Sequence, residues 1–345
     1  MAINFTPNTR NAELLENERA EKEKFINEAA LKVAVGAAFH PLFTVKTLFQ
    51  LGHEPFPLSI GRAFGIGHRA YFLPNVFSYA RNLAQVHGYA VLYCGVDAAI
   101  MSNIVAQTCF WNTNRYIDRF YPDLGGKPIN LEKKEKELTD YESAQRALRE
   151  AVRKSVVQCV GVIVARPFTV IAIRKVAQIV GGETKYTNVL SSLYLIGKEE
   201  GPKGLFAGII PQILTELITV WGAAVLYYGL ERAVTRLKLE NEGDQASEEA
   251  LESARKAVSL TVPFIVNTFA YSYSVVSVVM AVSGSGLAVS MLPYSPSFNT
   301  WYDAWNYLEP IQGLKRGARM FFREHVGAVS IGMDHNVYAD NKHFI

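Results

Sequence analysis

The stretch Glu200-Gly201-Pro202-Lys203-Gly204-Leu205-Phe206-Ala207-Gly208, with Pro211 three residues on, decides how this chain is read. It opens an apolar run, Leu205 to Leu230, in which Glu216 is the single charge. Its spacing is glycine, three residues, leucine, an aromatic, one residue, glycine. The same spacing stands upstream as Gly88-Tyr89-Ala90-Val91-Leu92-Tyr93-Cys94-Gly95. A third version, Gly317-Ala318-Arg319-Met320-Phe321-Phe322-Arg323-Glu324, keeps the opening glycine and a bulky pair but ends on Glu324. Landmarks that return roughly every hundred residues mark one supersecondary unit copied along the chain.

A second landmark precedes each of these. The first third has Pro41-Leu42-Phe43-Thr44-Val45-Lys46-Thr47-Leu48-Phe49-Gln50. The second has Pro167-Phe168-Thr169-Val170-Ile171-Ala172-Ile173-Arg174, and the third Ser272-Tyr273-Ser274-Val275-Val276-Ser277. A proline inside a helix removes a backbone hydrogen bond and kinks it, and in lipid a neighbouring helix can take up the freed carbonyl. Glycines let helices approach closely there. Pro41, Gly88, Gly95, Pro167, Gly201, Gly208 and Pro211 therefore read as architecture.

Charge is scarce and segregated. Of 345 residues 19% are charged, against about 25% in soluble domains. Ala257 to Tyr302 carries no acid or base, Val33 to Val45 none, and Ser155 to Ile173 only Arg166. Runs of about 20 apolar residues cross a bilayer as helices, and a soluble bundle would not leave every helix face uncharged for so long. Five such segments lie near 29–50, 90–111, 152–180, 205–230 and 257–289. The expected fold is an all-α membrane protein, a three-repeat helical bundle. It divides into a polar extension at 1–28, repeats at 29–130, 131–240 and 241–324, and a polar tail at 325–345. The linker run Glu132-Lys133-Lys134-Glu135-Lys136-Glu137 reads as solvated.

Other classes fall away. The net charge of +3 comes with no basic stripe for nucleic acid. Cys94, Cys109 and Cys159 lie in apolar segments, without the pairing or spacing of a disulfide framework or a zinc site. No catalytic triad, phosphate loop or metal cluster stands out, so neither an enzyme nor a cofactor is expected. Residues 1–28 are acidic, unlike a secretory signal or a cleaved presequence.

The repeated landmarks resemble the mitochondrial carrier family. In that family each repeat has a proline, an acid two residues on and a base three residues further. A Glu-Gly stretch ending aromatic, one residue, glycine follows. Glu200 to Gly208 fits the second pattern, and Pro41, Lys46 and Gln50 fit the first. The departures matter more. The acid positions hold Phe43, Thr169 and Ser274, and the basic positions Lys46, Ala172 and Ser277. One charge of six remains, so the family's gating ring of ion pairs cannot form, and a solute transporter is the weaker expectation. The third repeat has Ser272 in place of proline. The segment after Glu324, with Asp334, His335, Asn336, Asp340, Asn341, Lys342 and His343, is too polar for a sixth spanning helix. Five spans are expected, in a ring open sideways to lipid.

Those departures, with Met291-Leu292-Pro293-Tyr294-Ser295-Pro296 and Trp301, are similar to an atypical branch, the carrier homologues of the outer mitochondrial membrane. The resemblance implies a multi-pass outer-membrane protein that inserts α-helical proteins, above all tail-anchored clients. Membrane lipids, tail-anchored clients and apoptotic regulators are the implied partners. An apoptotic or metabolic receptor-scaffold and a lipid scramblase are the alternative expectations. An insertase needs polar groups at membrane depth, since a charge at the bilayer centre costs about 2.5–3.5 kcal/mol. The candidate groove residues are Lys46, Asp97, Arg174, Glu216, Tyr271 and Tyr273.

Overall fold

The computed structural model of the chain describes residues 9–62, 68–127, 139–240, 245–291 and 298–339. The charged run at 132–137 and residues 292–296 of the stretch quoted above lie outside the described residues. The first repeat comprises α1 (Thr9–Ala38), α2 (His40–Leu51), the hairpin β1 (Ser59–Arg62) and β2 (Arg69–Phe72), the surface helix α3 (Val76–His87), a tight turn (Tyr89–Tyr93) and α4 (Val96–Phe120). The second comprises α5 (Asp140–Ala177), α6 (Val189–Glu199), the single turn α7 (Pro202–Leu205) and α8 (Ile209–Glu240). The third begins alike, with α9 (Gln245–Val282), α10 (Ala288–Met291), α11 (Trp301–Leu308) and a tight turn (Gly313–Lys315). It then departs, into β3 (Glu324–His325), β4 (Val329–Ile331) and β5 (Val337–Ala339).

Local chemistry sets the element ends. The Thr139 hydroxyl accepts from the Glu142 amide while the Glu142 carboxylate accepts from the Thr139 amide, which satisfies two donors that a helix start leaves open. Asp140 and Glu142 in the first turn of α5, and Arg174 and Lys175 in its last, match its dipole. Asn75 caps α3 by accepting from the Ser78 amide at 2.8 Å, and Gly88, at φ 85°, ends it.

Among the described residues four helical stretches are long and apolar enough to cross a bilayer: Tyr89–Phe120, Asp140–Ala177, Pro202–Leu237 and Glu252–Val282. The expected fifth, near 29–50, is divided at Phe39 between α1 and α2. Pro41, which has no amide to donate, stands at the second position of α2. α1 runs without a break across residue 28. Phe25 stacks on Trp111 of α4 at 5.1 Å.

The long helices follow one another around an incomplete ring. α1 packs on α4, α4 on α5, α5 on α8 and α8 on α9, while α2 meets both α5 and α9. The core sits at the end where α2, α5 and α9 converge, with Val45, Leu48 and Phe49, Val170, Ile171 and Val176, and Val275 and Val276 buried. Away from that end packing thins. The most apolar windows of α4 and α8 are 11% and 6% buried, against 44% and 50% for α5 and α9. α4 and α8 are therefore staves with two open faces.

Three glycines close the ring at the packed end. Gly95, Gly208 and Gly317 follow the three tight turns with φ of 81°, 68° and 71°. A Cβ on Gly95 would lie 3.0 Å from the Ala172 carbonyl oxygen of α5. On Gly208 it would lie 2.5 Å from the Ser277 carbonyl oxygen of α9, and on Gly317 2.9 Å from Phe49 Cβ of α2. Each repeat thus docks its turn on the first long helix of the next, and the third docks on the first. This corrects the register read from sequence. Gly317 is the closing glycine of the third copy, so Gly313-Leu314-Lys315-Arg316-Gly317 corresponds to Gly204-Leu205-Phe206-Ala207-Gly208.

Past Gly317 the polar tail becomes a strap over the first repeat. β3 adds to β2, pairing His325 with Tyr71 and Glu324 with Phe72. Arg323 forms a buried bidentate pair with Glu54, and its guanidinium sits 3.5 Å over the Phe49 ring. Under the strap the Tyr79 hydroxyl donates to the His53 carbonyl at 2.8 Å. Burial, with a smaller push from His87, lowers the His53 imidazole to about 4.

Two predictions follow from this packing. Gly208→Ala lowers the thermal midpoint in detergent by the equivalent of about 1–3 kcal/mol. Gly197→Ala, at a helical glycine with open space around it, leaves the midpoint level or raises it slightly. A tolerated Gly208→Ala would mean the turn is not seated on α9. For His53, a lowered folded pKa means the unfolded chain binds the extra proton, so the stability present above 6.5 is lost as pH falls towards 4. The wild-type midpoint should fall more steeply over that window than that of His53→Gln, and parallel curves would refute the assignment.

Candidate functional site

The six candidate groove residues do not share one site. Arg174 is fully buried at the end of α5. It donates to both carboxylate oxygens of Glu200, to the Tyr186 hydroxyl at 3.1 Å and to the Ala281 carbonyl at 2.8 Å. Glu200 and Tyr186 fold the second repeat on itself and the Ala281 carbonyl joins it to α9, so Arg174 is a structural clamp and not a groove lining. Asp97, in the first turn of α4, pairs with Lys175 of α5 at 2.5 Å, which is a clamp between neighbouring staves. Tyr273 packs between Trp301 and Trp305 of α11 at centroid distances of 6.3 and 4.9 Å.

Lys46 and Tyr271 do meet. The Lys46 ammonium lies 5.5 Å over the Tyr271 ring, while the Tyr271 hydroxyl donates to the Arg316 carbonyl at 2.6 Å. A cation over an aromatic face gains about 0.5–2 kcal/mol, less than a full ion pair would supply in a dry site. Among the described residues Lys46 makes no ion pair.

Glu216 lies on α8 in a polar stripe with Gln212, Thr215 and Thr219, a spacing that places all four on one helix face. The threonines return their hydroxyls to their own helix, Thr215 to Pro211 and Thr219 to Thr215, each at 2.8 Å. That leaves Gln212, which donates to Glu216 at 3.0 Å, and the Glu216 carboxylate itself. Glu216 too has no ion-pair partner among the described residues, and no Lys46–Glu216 pair forms. The two charges stand on separate staves of a ring whose α1 and α9 edges are not firmly joined.

The positions that lost their charges now make short neutral contacts. Thr169 and Ser102 share a hydrogen bond of 2.8 Å between α5 and α4. Gln50 donates to Ser274 at 3.5 Å between α2 and α9, and Ser277 donates to the Gly208 carbonyl at 3.0 Å. Arg166, also buried, donates to the Ala207 carbonyl at 2.9 Å and to Ser277 at 3.2 Å, bracing the same turn. These are static joints, without a second arrangement of opposite charges to switch into.

Sequence comparison with known proteins gives the family. The sequence profile of the mitochondrial carrier protein family matches residues 146–238, which is most of the second repeat from α5 to α8. Mitochondrial carrier homolog 1 of Mus musculus is 32% identical over 304 residues, covering 85% of this chain and 75% of that protein. The chain belongs to the mitochondrial carrier family. Mitochondrial carrier homolog 2 of Mus musculus is 30% identical and that of Homo sapiens 29%, each over 301 residues, 86% of this chain and 94% of theirs. Within the family the chain is a carrier homologue in which five of the six paired-charge positions are neutral and Lys46 alone is charged.

Several functional partners were not found from the sequence. Glu200 was visible as part of the repeated motif, but its pairing with Arg174 was not, and nothing singled out Lys175 or Gln212. The Glu54–Arg323 pair had no signal, since its members lie 269 residues apart.

Because Arg174 is buried and Glu200 nearly so, removing one partner strands the other. Arg174→Leu should cost about 3–5 kcal/mol and depress the yield of folded protein. Arg174→Leu with Glu200→Leu should recover part of that loss, read by thermal midpoint in detergent. A single variant that folds normally would return Arg174 to the list of groove residues.

Proposed function

We propose that the chain inserts α-helical membrane proteins, tail-anchored ones above all, into the outer mitochondrial membrane through a laterally open polar groove. The observation that carries this reading is a pair of ionisable groups, Lys46 and Glu216, within apolar helices and without ion-pair partners among the described residues. Charge kept at membrane depth marks function by default. A tail anchor must bring a short polar tail across hydrocarbon, and a charge at the centre costs about 2.5–3.5 kcal/mol on insertion scales. A wet face carrying an acid and, on another helix, a base lowers that barrier for tails of either sign. Once across, the apolar anchor leaves sideways between α1 and α9.

Two further observations support it. The neutral joints at Ser102–Thr169, Gln50–Ser274 and Ser277–Gly208 remove the switchable ion pairs on which alternating access of a solute depends. The relatives named above belong to the homologue branch, where insertion is the activity that the resemblance implies.

The test is protease-protected insertion of a labelled tail-anchored client into liposomes holding the purified chain. Glu216→Arg should lower insertion severalfold while helix content and protein level stay equal, and Glu216→Gln should fall between it and wild type. Insertion unchanged by Glu216→Arg would sink the groove reading and shift the function to partner docking or lipid scrambling.

A further inference from the structure

After Gly95 and Gly208 the chain enters a spanning helix at once, at Val96 and Ile209. Gly317 occupies the same place in the third repeat, seated on α2 and held by the Tyr271 hydroxyl at Arg316. The segment that follows, Ala318-Arg319-Met320-Phe321-Phe322-Arg323, therefore starts at the level where the other two repeats enter the bilayer. It does not go on into the hydrocarbon. The Met320 carbonyl accepts from the Val76 amide at 2.9 Å and the Arg323 carbonyl from the Leu73 amide at 2.8 Å. These bonds hold the segment flat along the start of α3.

Pinned in this way, the segment turns Arg323 inward, 8% exposed, and leaves Phe321 and Phe322 60% and 58% exposed. Phe77 of α3, also exposed, lies 6.0 Å from Phe321, so the aromatic rings form one patch. Three exposed cations are close to it in the chain: Arg81, one turn along α3 from Phe77, and Lys315 and Arg319, six and two residues before Phe321. A phenylalanine side chain left in water forgoes the stabilisation of apolar burial. Aromatic rings bordered by arginine and lysine suit the interfacial layer, where rings sit at headgroup level and cations meet phosphates.

We propose that Phe321 and Phe322, together with Phe77, seat the third repeat in the interfacial layer of a lipid leaflet, with Arg81, Lys315 and Arg319 on its phosphates. The third repeat thus enters the membrane shallowly where the other two send in a spanning helix. The strap holds the edge of the ring at the bilayer surface and leaves the hydrocarbon beside α9 unfilled. The anchor stands on its own geometry and does not depend on whether the chain inserts clients.

The test uses the full chain with Cys94, Cys109 and Cys159 replaced by alanine and a nitrobenzoxadiazole label on Phe321→Cys. The label is read in phosphatidylcholine–phosphatidylglycerol vesicles. A control label on Asp123→Cys sits in the exposed turn after α4. Quenching by nitroxide lipids should be severalfold stronger at Phe321 than at Asp123, and stronger with the nitroxide near the headgroup than deep in the acyl chain. A label on Phe322→Cys gives the same reading should the first variant fail to fold, with helix content checked by circular dichroism. Quenching at both phenylalanine positions no greater than at Asp123, in folded protein, would overturn the proposal and make the patch a water-facing protein docking surface.

Discussion

The constraint on which the rest depends is backbone approach at Gly95, Gly208 and Gly317. At each point a chain leaving a tight turn with positive φ presses against α5, α9 or α2 of the next repeat, so closely that a Cβ would force a shift at Gly208 and Gly317 and crowd the Ala172 carbonyl at Gly95. In lipid, apolar burial drives helices together only weakly, and close packing with satisfied backbone groups must hold them. Three such contacts, each joining one repeat to the next, form a cycle. The cycle fixes the converging ends of α2, α5 and α9. Around it Asp97–Lys175 ties the first repeat to the second, while Arg174–Glu200 fastens the second repeat internally.

With that end fixed, the lost gate charges acquire a meaning. A ring of ion pairs can exist in two states because opposite charges can pair or part as helices tilt. A threonine–serine bond, a long glutamine–serine bond and a serine–carbonyl bond carry no charge and need only one arrangement. The joint that opens in a solute carrier is here a hinge pin. Charge survives instead at Lys46, laid on the Tyr271 ring, and at Glu216, held by Gln212. Neither contact is an ion pair.

The third repeat shows how the fold ends a ring without completing it. Its helix, surface helix and turn repeat the pattern as far as Gly317, and the chain then lies along α3 and adds β3 to the first repeat's hairpin. Glu54 and Arg323, both shielded, fasten it. A ring closed at one end and unfilled beside α9 leaves a side exit at membrane depth while keeping the packed end rigid.

By itself the sequence determined that the chain is an all-helical membrane protein of three repeats, because hydropathy and the glycine-leucine-aromatic spacing are local properties. The two apolar segments and the glycine turn of the second repeat were legible for that reason. It also marked Lys46 and Glu216, because a charge inside an apolar run is visible without knowing its neighbours. Only the tertiary structure decided which charges were compensated. Arg174 and Asp97 looked like Lys46 and Glu216 in one dimension, yet chain reversal at Glu200 and helix packing at Lys175 paired them. The third repeat's register was misread because Phe321-Phe322 imitates the leucine-aromatic pair, whereas positive φ and contact with α2 identify Gly317 as the closing glycine. The division of the first segment at Phe39 and the strap across residues 53–76 were likewise settled in three dimensions. They depend on contacts between residues far apart in the chain, which no local pattern encodes.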